Sequence, residues 1–483
     1  MSQVLDIINF ILDLGPSVVM PIIIFILSLI FGLKVSRAVR SALTVGIGFI
    51  AVNLVIGLLI ETLSPATKAM VQNLGINLNV MDVGWPVAAA ISFATTSVVP
   101  WVFILGITLN IVLVLINFTK TLDIDMWNYW HFIFGAGFVY VITDSLFVAL
   151  FIALLTELIV LKLADWTAPI VQDYFEFPGI SLPHTETVSW APVSWVLNRL
   201  IDRIPIIRNW QMDPDTIQKR WGVIGEPIMV GTILGGIIAF LGYGPDIMNN
   251  PATNIKNILT TAISMGAVML VLPRMVRLLM EGLMPLSDGA REFLKRRFPG
   301  RNLYIGLDAA IAIGHPAVIS TALLLVPITL VLSILLSLIG ANRMLPFTDL
   351  AVLPFLSIWA VGWSRGNIVR GVLIGSVFMA CILVIGTFLA PMTTQLAVDA
   401  KFDIPKGALQ ISSLDVGAHL SSWLLVLPFS LGTLFNEGIG FTIVALFVAI
   451  FTVISYIVFI VAQTRGKVSE VKSQEAEGIH HDL

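Results

Sequence analysis

The chain has 483 residues, of which 57% are hydrophobic and only 12% charged, with 27 Lys and Arg against 30 Asp and Glu. A soluble domain carries about 25% charged residues, so there is too little charge to cover a water-facing surface. Soluble enzymes, disulfide-stapled secreted domains and nucleic-acid binders are excluded.

What remains is an all-α integral membrane protein, and at roughly 20 apolar residues per span the chain holds about ten or eleven transmembrane helices with sizeable loops. Cys381, the single cysteine, lies in the apolar run GVLIGSVFMACILVIG; it has no second thiol for a disulfide or metal site and is expected to be a small core residue. Residues 1–16 carry Asp6 and Asp13 but no Lys or Arg, unlike a cleavable signal, so the N-terminus is expected to be retained and outside. A first span over 17–35 is followed by Lys34, Arg37 and Arg40, which the positive-inside rule puts in the cytoplasm. A span over 41–62 returns outward, and one over 98–118 comes back to Lys120. The apolar run from His131 to Asp165 is too long for one span and short for two, and predicts a helical hairpin turning at Asp144-Ser145.

Residues 165–222 interleave Arg199, Arg203, Arg208, Lys219 and Arg220 with apolar side chains, which predicts amphipathic helices on the inner leaflet. Spans over 223–243 and 256–273 lead to a basic loop holding Arg274, Arg277, Arg291, Lys295, Arg296, Arg297 and Arg301. Further spans fall at 318–340, 347–363, 368–390 and 439–463, with Arg365 and Arg370 at an inner turn and Arg465 and Lys467 opening the tail. About eleven spans follow, N-terminus out and C-terminus in.

Two halves share a faint pattern. Asp82 begins DVGWPVAAAISFATTSVVP and Asp308 begins DAAIAIGHPAVISTALLLVP, an offset of 226; Asp125 and Asp349 match at 224. Five spans per half force opposite orientations, so residues 1–222, including the amphipathic connection, and 223–438 are expected to be inverted repeats with re-entrant segments. Such repeats expose a midplane site to either face in turn. The last transmembrane helix (439–463) and a cytoplasmic tail (464–483) lie outside this symmetry.

Ionisable groups at membrane depth face protein, water or substrate. Asp82, with Gly84 and Trp85, and Asp308 stand at the mouths of Ala-, Gly- and Pro-rich segments suited to cavity-lining backbone. A carboxylate there can hold two hydroxyls of a polyol; alternatively, each aspartate caps its own helix. His131 and His184 each offer a donor and an acceptor to a hydroxyl, with His315 and His419 as second-half counterparts. Glu226, ahead of Pro227, is expected to favour a helix start over a gating role. No phosphate-cradling GxxxxGK[ST] and no HExxH occurs; a metal site at the terminal His480 and His481 is not expected.

Taken together, DLGPSVVMPIIIF (13–25), DVGWP at 82, WNYWHF at 127, GISLPH at 179, GEP at 225, and GLD with GH over 306–315 resemble the galactitol-specific EIIC membrane component of the bacterial phosphoenolpyruvate-dependent phosphotransferase system. The resemblance runs from about residue 10 to residue 465 and places the chain in the ascorbate/galactitol superfamily. It implies a multi-pass permease of the bacterial inner membrane, a homodimer embedded in the lipid bilayer. A core domain and a V-shaped dimerising domain are each drawn from both repeats. The implied ligand is a sugar alcohol, with no cofactor. The implied partners are the cytoplasmic IIB and IIA proteins, a IIB phosphocysteine supplying the phosphoryl group; Cys381 cannot be that cysteine.

By the same resemblance, Asp82, Gly84, Trp85, His131, His184, Thr185 and Asp308 contact substrate, and Asp415 is a further candidate in DVGAHLSS. In-line attack of a hydroxyl on the phosphocysteine benefits from a base, a role open to His184 or Asp308 if geometry allows. The galactitol pattern has PHG where this chain has Pro183-His184-Thr185, a Ser-rich stretch where it has Val87-Ala88-Ala89-Ala90, and GLDP where it has Gly306-Leu307-Asp308-Ala309. Losing small hydroxyls bears on which hexitol or pentitol fits. An ion-coupled secondary transporter of polyols is the alternative, since buried carboxylates and histidines also suit proton relays.

Overall fold

The structure, a computed structural model, describes residues 16–74, 79–95, 98–125, 129–208, 210, 212, 227–297, 303–346, 349–399, 409–432 and 439–478. It is mostly helical. Helices α1 (Pro16–Ile30) and α2 (Val35–Leu74) pack with α10 (Pro227–Tyr243) and α11 (Pro251–Arg297) in a four-helix group contributed by the opening segment of each half. Gly32, at φ +83°, closes α1 in the left-handed conformation that releases the chain into α2. Small residues let these helices touch: a Cβ on Gly282 would lie 2.8 Å from the Val45 backbone nitrogen.

The remaining elements surround a second, larger body. In the first half these are β1 (Val80–Asp82), α3 (Gly84–Ala94), α4 (Val99–Leu115), β2 (Thr121–Asp123), α5 (Trp130–Thr143), α6 (Leu146–Asp173), β3 (Ile180–Ser181), α7 (Thr185–Val188), α8 (Ala191–Asp202) and α9 (Pro205–Arg208). The second half adds β4 (Tyr304–Gly306), α12 (Pro316–Leu338), α13 (Leu353–Trp363), α14 (Ile368–Asp399), β5 (Gln410–Ser412), α15 (Leu414–Ala418), α16 (Leu420–Gly432) and α17 (Ile439–Gly478). Stretches Leu146–Asp173, Pro316–Leu338, Ile368–Asp399 and Thr442–Gln463 are long and apolar enough to cross a bilayer, and shorter apolar helices accompany them.

Helices dominate as expected, but short parallel strands join the halves. Strand β1 pairs with β5 and bridges from Val80 to Met344, while β4 pairs with β2 and β3. Every pairing among the described residues therefore crosses from one half to the other. Strand ends carry polar residues inward: Asp82 faces Ser412, and Asp123 and Ser181 both face Gly306. Matching turns follow α4 and α12, with Asn117 (φ 60°) in one and Gly340 (φ 75°) in the other, each succeeded by two backbone N–H groups donating to one helical carbonyl, Leu113 or Leu336.

The helical hairpin predicted at Asp144-Ser145 is present, with Asp144 left-handed at φ 49° and the Ser145 side chain capping α6 through Val148. Boundaries differ elsewhere. The run 274–297, expected as a basic loop, continues α11, because Leu, Met, Glu, Lys and Arg favour helix beyond the apolar stretch. The span expected over 347–363 is helical as α13 only from Leu353, after a 3₁₀ turn from Asp349 to Val352. Cys381, expected in the core, is exposed: the buried stripe of α14 runs through Ile374, Phe378, Met379 and Ile382, and Cys381 falls off it. Exposed Val196, Leu200, Ile204 and Ile206 alternate with arginines along α8 and α9, the pattern expected of helices at a membrane surface.

Candidate substrate site

Where the strands end, buried polar groups from both halves meet. Asp82 closes β1; its Oδ1 accepts the Gly84 N–H (3.1 Å) and its Oδ2 accepts the Asp349 N–H (3.0 Å). Asp349 reciprocates: Oδ1 accepts from the Trp85 N–H at 2.8 Å and Oδ2 from the Asp415 N–H at 3.1 Å. Two carboxylates thereby hold three segments distant in the chain together and satisfy buried backbone N–H groups. Gly84, at φ +76°, makes the turn that carries the chain from Asp82 into α3.

Asp415 passes the connection on. Its Oδ1 is 2.8 Å from His419 Nε2, and both side chains are buried. Ser413 caps this short helix through Val416 (3.0 Å), and the indole N–H groups of Trp423 and Trp190 donate to the carbonyls of Val416 and Ala418. His419 packs against His131, ring centroids 4.5 Å apart, and His131 against His184 at 4.9 Å. His131 sits in the first turn of α5, flanked by Trp130 at 4.3 Å. His184 precedes α7, where Pro183 ends the strand; its ring stacks on Phe355 of α13 at 5.5 Å.

Asp308, just past β4, answers both readings of its sequence. Its Oδ1 accepts the Ala310 N–H at 2.8 Å, a cap, and the same oxygen lies 3.7 Å from His184 Nε2. That separation exceeds a hydrogen bond, leaving a small polar group room to bond both. Glu186 approaches from the other side, its Oε2 4.0 Å from His184 Nδ1.

Buried atoms without hydrogen-bond partners concentrate here: Nδ1 of His131, His184 and His419, Oγ1 of Thr185, Oε1 of Glu186 and Oγ of Ser422. An unsatisfied buried polar group costs about 1–3 kcal/mol, so such a collection stands ready for a ligand that supplies several donors and acceptors. Within the trios His131, Asp415, His419 and His131, His184, Glu186, the polar atoms lie within 4.8 Å of one another, close enough to converge on one small group or to hold a cation.

The predicted residues Asp82, Trp85, His131, His184, Asp308 and Asp415 thus form one contiguous network with Asp349 and His419, and Gly84 and Thr185 lie within it. His315 instead caps α12 through Ala317 (3.3 Å) and packs on Tyr174 and Phe175. Glu226 lies outside the described residues. Glu186 and Ser422 were missed. Both carry a readable signal: Glu186 is a carboxylate two residues after His184, and Ser422 a hydroxyl three residues after His419 in DVGAHLSS.

Fold and site together define a polytopic membrane protein with a buried polar cluster built from segments of both halves. The family model EIIC-GAT, the PTS system sugar-specific permease component, matches residues 10–407. A "Putative permease IIC component" of Escherichia coli K12 is 37% identical over 430 residues, covering 88% of this chain and 94% of that protein. "PTS system galactitol-specific EIIC component" sequences from Escherichia coli K12 and O157:H7 are 35% identical over 430 residues, 88% of this chain and 91% of each relative. The chain belongs to the sugar-specific permease family of the phosphotransferase system and is a multi-pass membrane protein.

Proposed function

We propose that this permease binds a sugar alcohol, with galactitol the leading candidate, between its two halves and delivers it inward for phosphorylation by a separate IIB protein. The convergence of unpartnered buried atoms from His131, His184, Thr185, Glu186, His419 and Ser422 carries this reading. A hexitol presents hydroxyls that both donate and accept, which suits imidazoles facing carboxylates. Asp308 and His184 bond one hydroxyl across their 3.7 Å gap; Asp82, Gly84 and Trp85 hold the wall in place through Asp349. At the inner face that hydroxyl attacks the phosphoryl group of the IIB phosphocysteine, the S–P bond breaks as the O–P bond forms, and His184 or Asp308 takes the hydroxyl proton.

The architecture proposed for this task is two inverted five-helix repeats plus one helix, about eleven spans in all, N-terminus outside and C-terminus inside. Crossed strand pairing and the matching left-handed turns at Asn117 and Gly340 support it. The four-helix group α1, α2, α10 and α11 is the dimerising scaffold against which the rest moves. Family membership favours group translocation over the ion-coupled alternative.

Calorimetry with purified protein and a panel of hexitols and pentitols tests the proposal. Binding of one sugar alcohol is expected, and substantially weaker in His184→Ala. Accumulation of free polyol in vesicles lacking the phosphotransferase proteins, driven by an imposed pH or Na⁺ gradient, would overturn it.

A further inference from the structure

Away from the chamber, a polar pocket of about 340 Å³ opens where α13 turns into α14. Asn198, Trp363, Ser364, Arg365 and Arg370 are among the residues that line it. Two helices tie it to the chamber. Phe355, stacked on His184, begins α13, and Trp363 ends it at the pocket, eight residues or about 12 Å away. Helix α8 starts just after α7 and brings Asn198 to the same place. The two are pinned side by side by Ser194 Oγ to the Trp359 carbonyl (2.7 Å) and Asn198 Nδ2 to the Trp363 carbonyl (3.1 Å).

Charge separates this pocket from the buried polar cluster. Hydrogen bonds and ion pairs of Asp308, Glu186 and Asp415 among the described residues involve backbone N–H groups and histidine, never lysine or arginine. Phosphorylating a hydroxyl there adds about −1.5 to −2 charge where these acids have no lysine or arginine partner among the described residues to balance it. The pocket offers the opposite environment. Arg370 is held by Asn198 Oδ1 (3.0 Å), Asp202 Oδ1 (2.7 Å) and the Arg208 carbonyl (3.3 Å), while Arg365 is exposed at the turn. The corresponding turn after α5 carries Asp144 and Ser145 instead, so the guanidinium groups mark one exit only.

We infer that this pocket is a product subsite that receives the sugar-alcohol phosphate as it leaves the chamber. Arg365, the exposed guanidinium at the turn, pairs with the phosphate, and the Trp363 ring covers the carbon chain. The volume falls in the range of small-molecule sites. This rests on the polyol-permease reading, and on the basic residues of this face placing it inside the cell.

The test is calorimetry on the full-length purified protein with three probes: galactitol, galactitol 1-phosphate and inorganic phosphate. Wild type should bind the ester more tightly than inorganic phosphate, and Arg365→Ala should weaken the ester about tenfold, the size of one charge-assisted hydrogen bond, while galactitol binding stays unchanged. Trp363→Ala, which spares the charge, should weaken the ester but not inorganic phosphate. The inference is overturned if Arg365→Ala leaves the ester unaffected, if inorganic phosphate binds as well as the ester, or if His184→Ala rather than Arg365→Ala abolishes ester binding. Absence of galactitol binding in wild type would instead count against the polyol reading, and leaves the ester measurement to decide the pocket by itself.

Discussion

The four-helix group and the strand-bearing body are built from the same apolar alphabet but differ inside. Buried polar side chains of the described four-helix group are Ser28, Ser41, Asn254 and Thr261, whereas buried Asp82, His131, Glu157, His184, Glu186, Asp349, Asp415 and His419 all belong to the other body. The first packs by close backbone approach at small residues and presents exposed Ile47, Leu54, Ile263 and Leu259 outward. The second spends helix continuity on turns that aim polar groups at one another. Apolar packing suits helices that touch along their length; a cluster of buried carboxylates requires broken elements, because the interior of a regular helix leaves no backbone N–H free to bond a carboxylate.

This contrast is sharpest at the chamber. Asp308→Asn retains the cap to Ala310 through the amide oxygen but removes the charge facing His184, so it should lower polyol affinity about 10- to 100-fold, the loss of a hydrogen bond to a charged group. His184→Ala should match it. Calorimetry measures both, and size-exclusion chromatography with a thermal melt checks that the fold survives. Unchanged affinity would remove both residues from the site.

In the scaffold the effect should move from affinity to stability. Gly282→Leu places a side chain where even a Cβ lies 2.8 Å from the Val45 nitrogen. Overpacking of that kind costs about 1–3 kcal/mol, so the melting temperature should drop while the affinity of the folded fraction stays within twofold. A selective loss of affinity would show that the two bodies are not separable in this way.

A smaller change is expected from Ser422→Ala, which removes one of the unpartnered hydroxyls. It should weaken binding severalfold if a ligand hydroxyl meets it, read by the same calorimetry. Least of all should be the effect at Asp246, in the exposed turn between α10 and α11. Hydrogen bonds from Asn249, Asn250 and Asn254 hold its carboxyl below the usual 3.8. Because the folded value is depressed, its contribution is present above the unfolded pKa and lost as pH falls through the folded one. Asn249→Ala should raise the carboxyl's titration midpoint, seen by NMR of a labelled aspartate, without touching polyol affinity.

Much of the chamber was legible before the structure. Asp82, His131, His184 and Asp308 stand out because ionisable groups in apolar surroundings are costly and need a reason. The caps at Asp308 and the latch at Asp82 show that one carboxylate can serve both backbone and site, so spacing alone could not choose between them. Asp349 was read only as a repeat marker; its two oxygens turn out to bind Trp85 and Asp415, segments far apart in the chain. His315 and His419 looked equivalent in sequence, yet one caps α12 and the other joins the imidazole cluster.

Composition and hydropathy determined that this chain lives in a bilayer as helices, and the order of its motifs determined its family, since both are properties of residues taken along the chain. Tertiary structure decided which polar groups cluster together, which face of α14 is exposed at Cys381, and that among the described residues strands of each half pair with the other. Those outcomes depend on hydrogen bonds and packing between segments hundreds of residues apart, and no local pattern records how distant backbone groups satisfy one another.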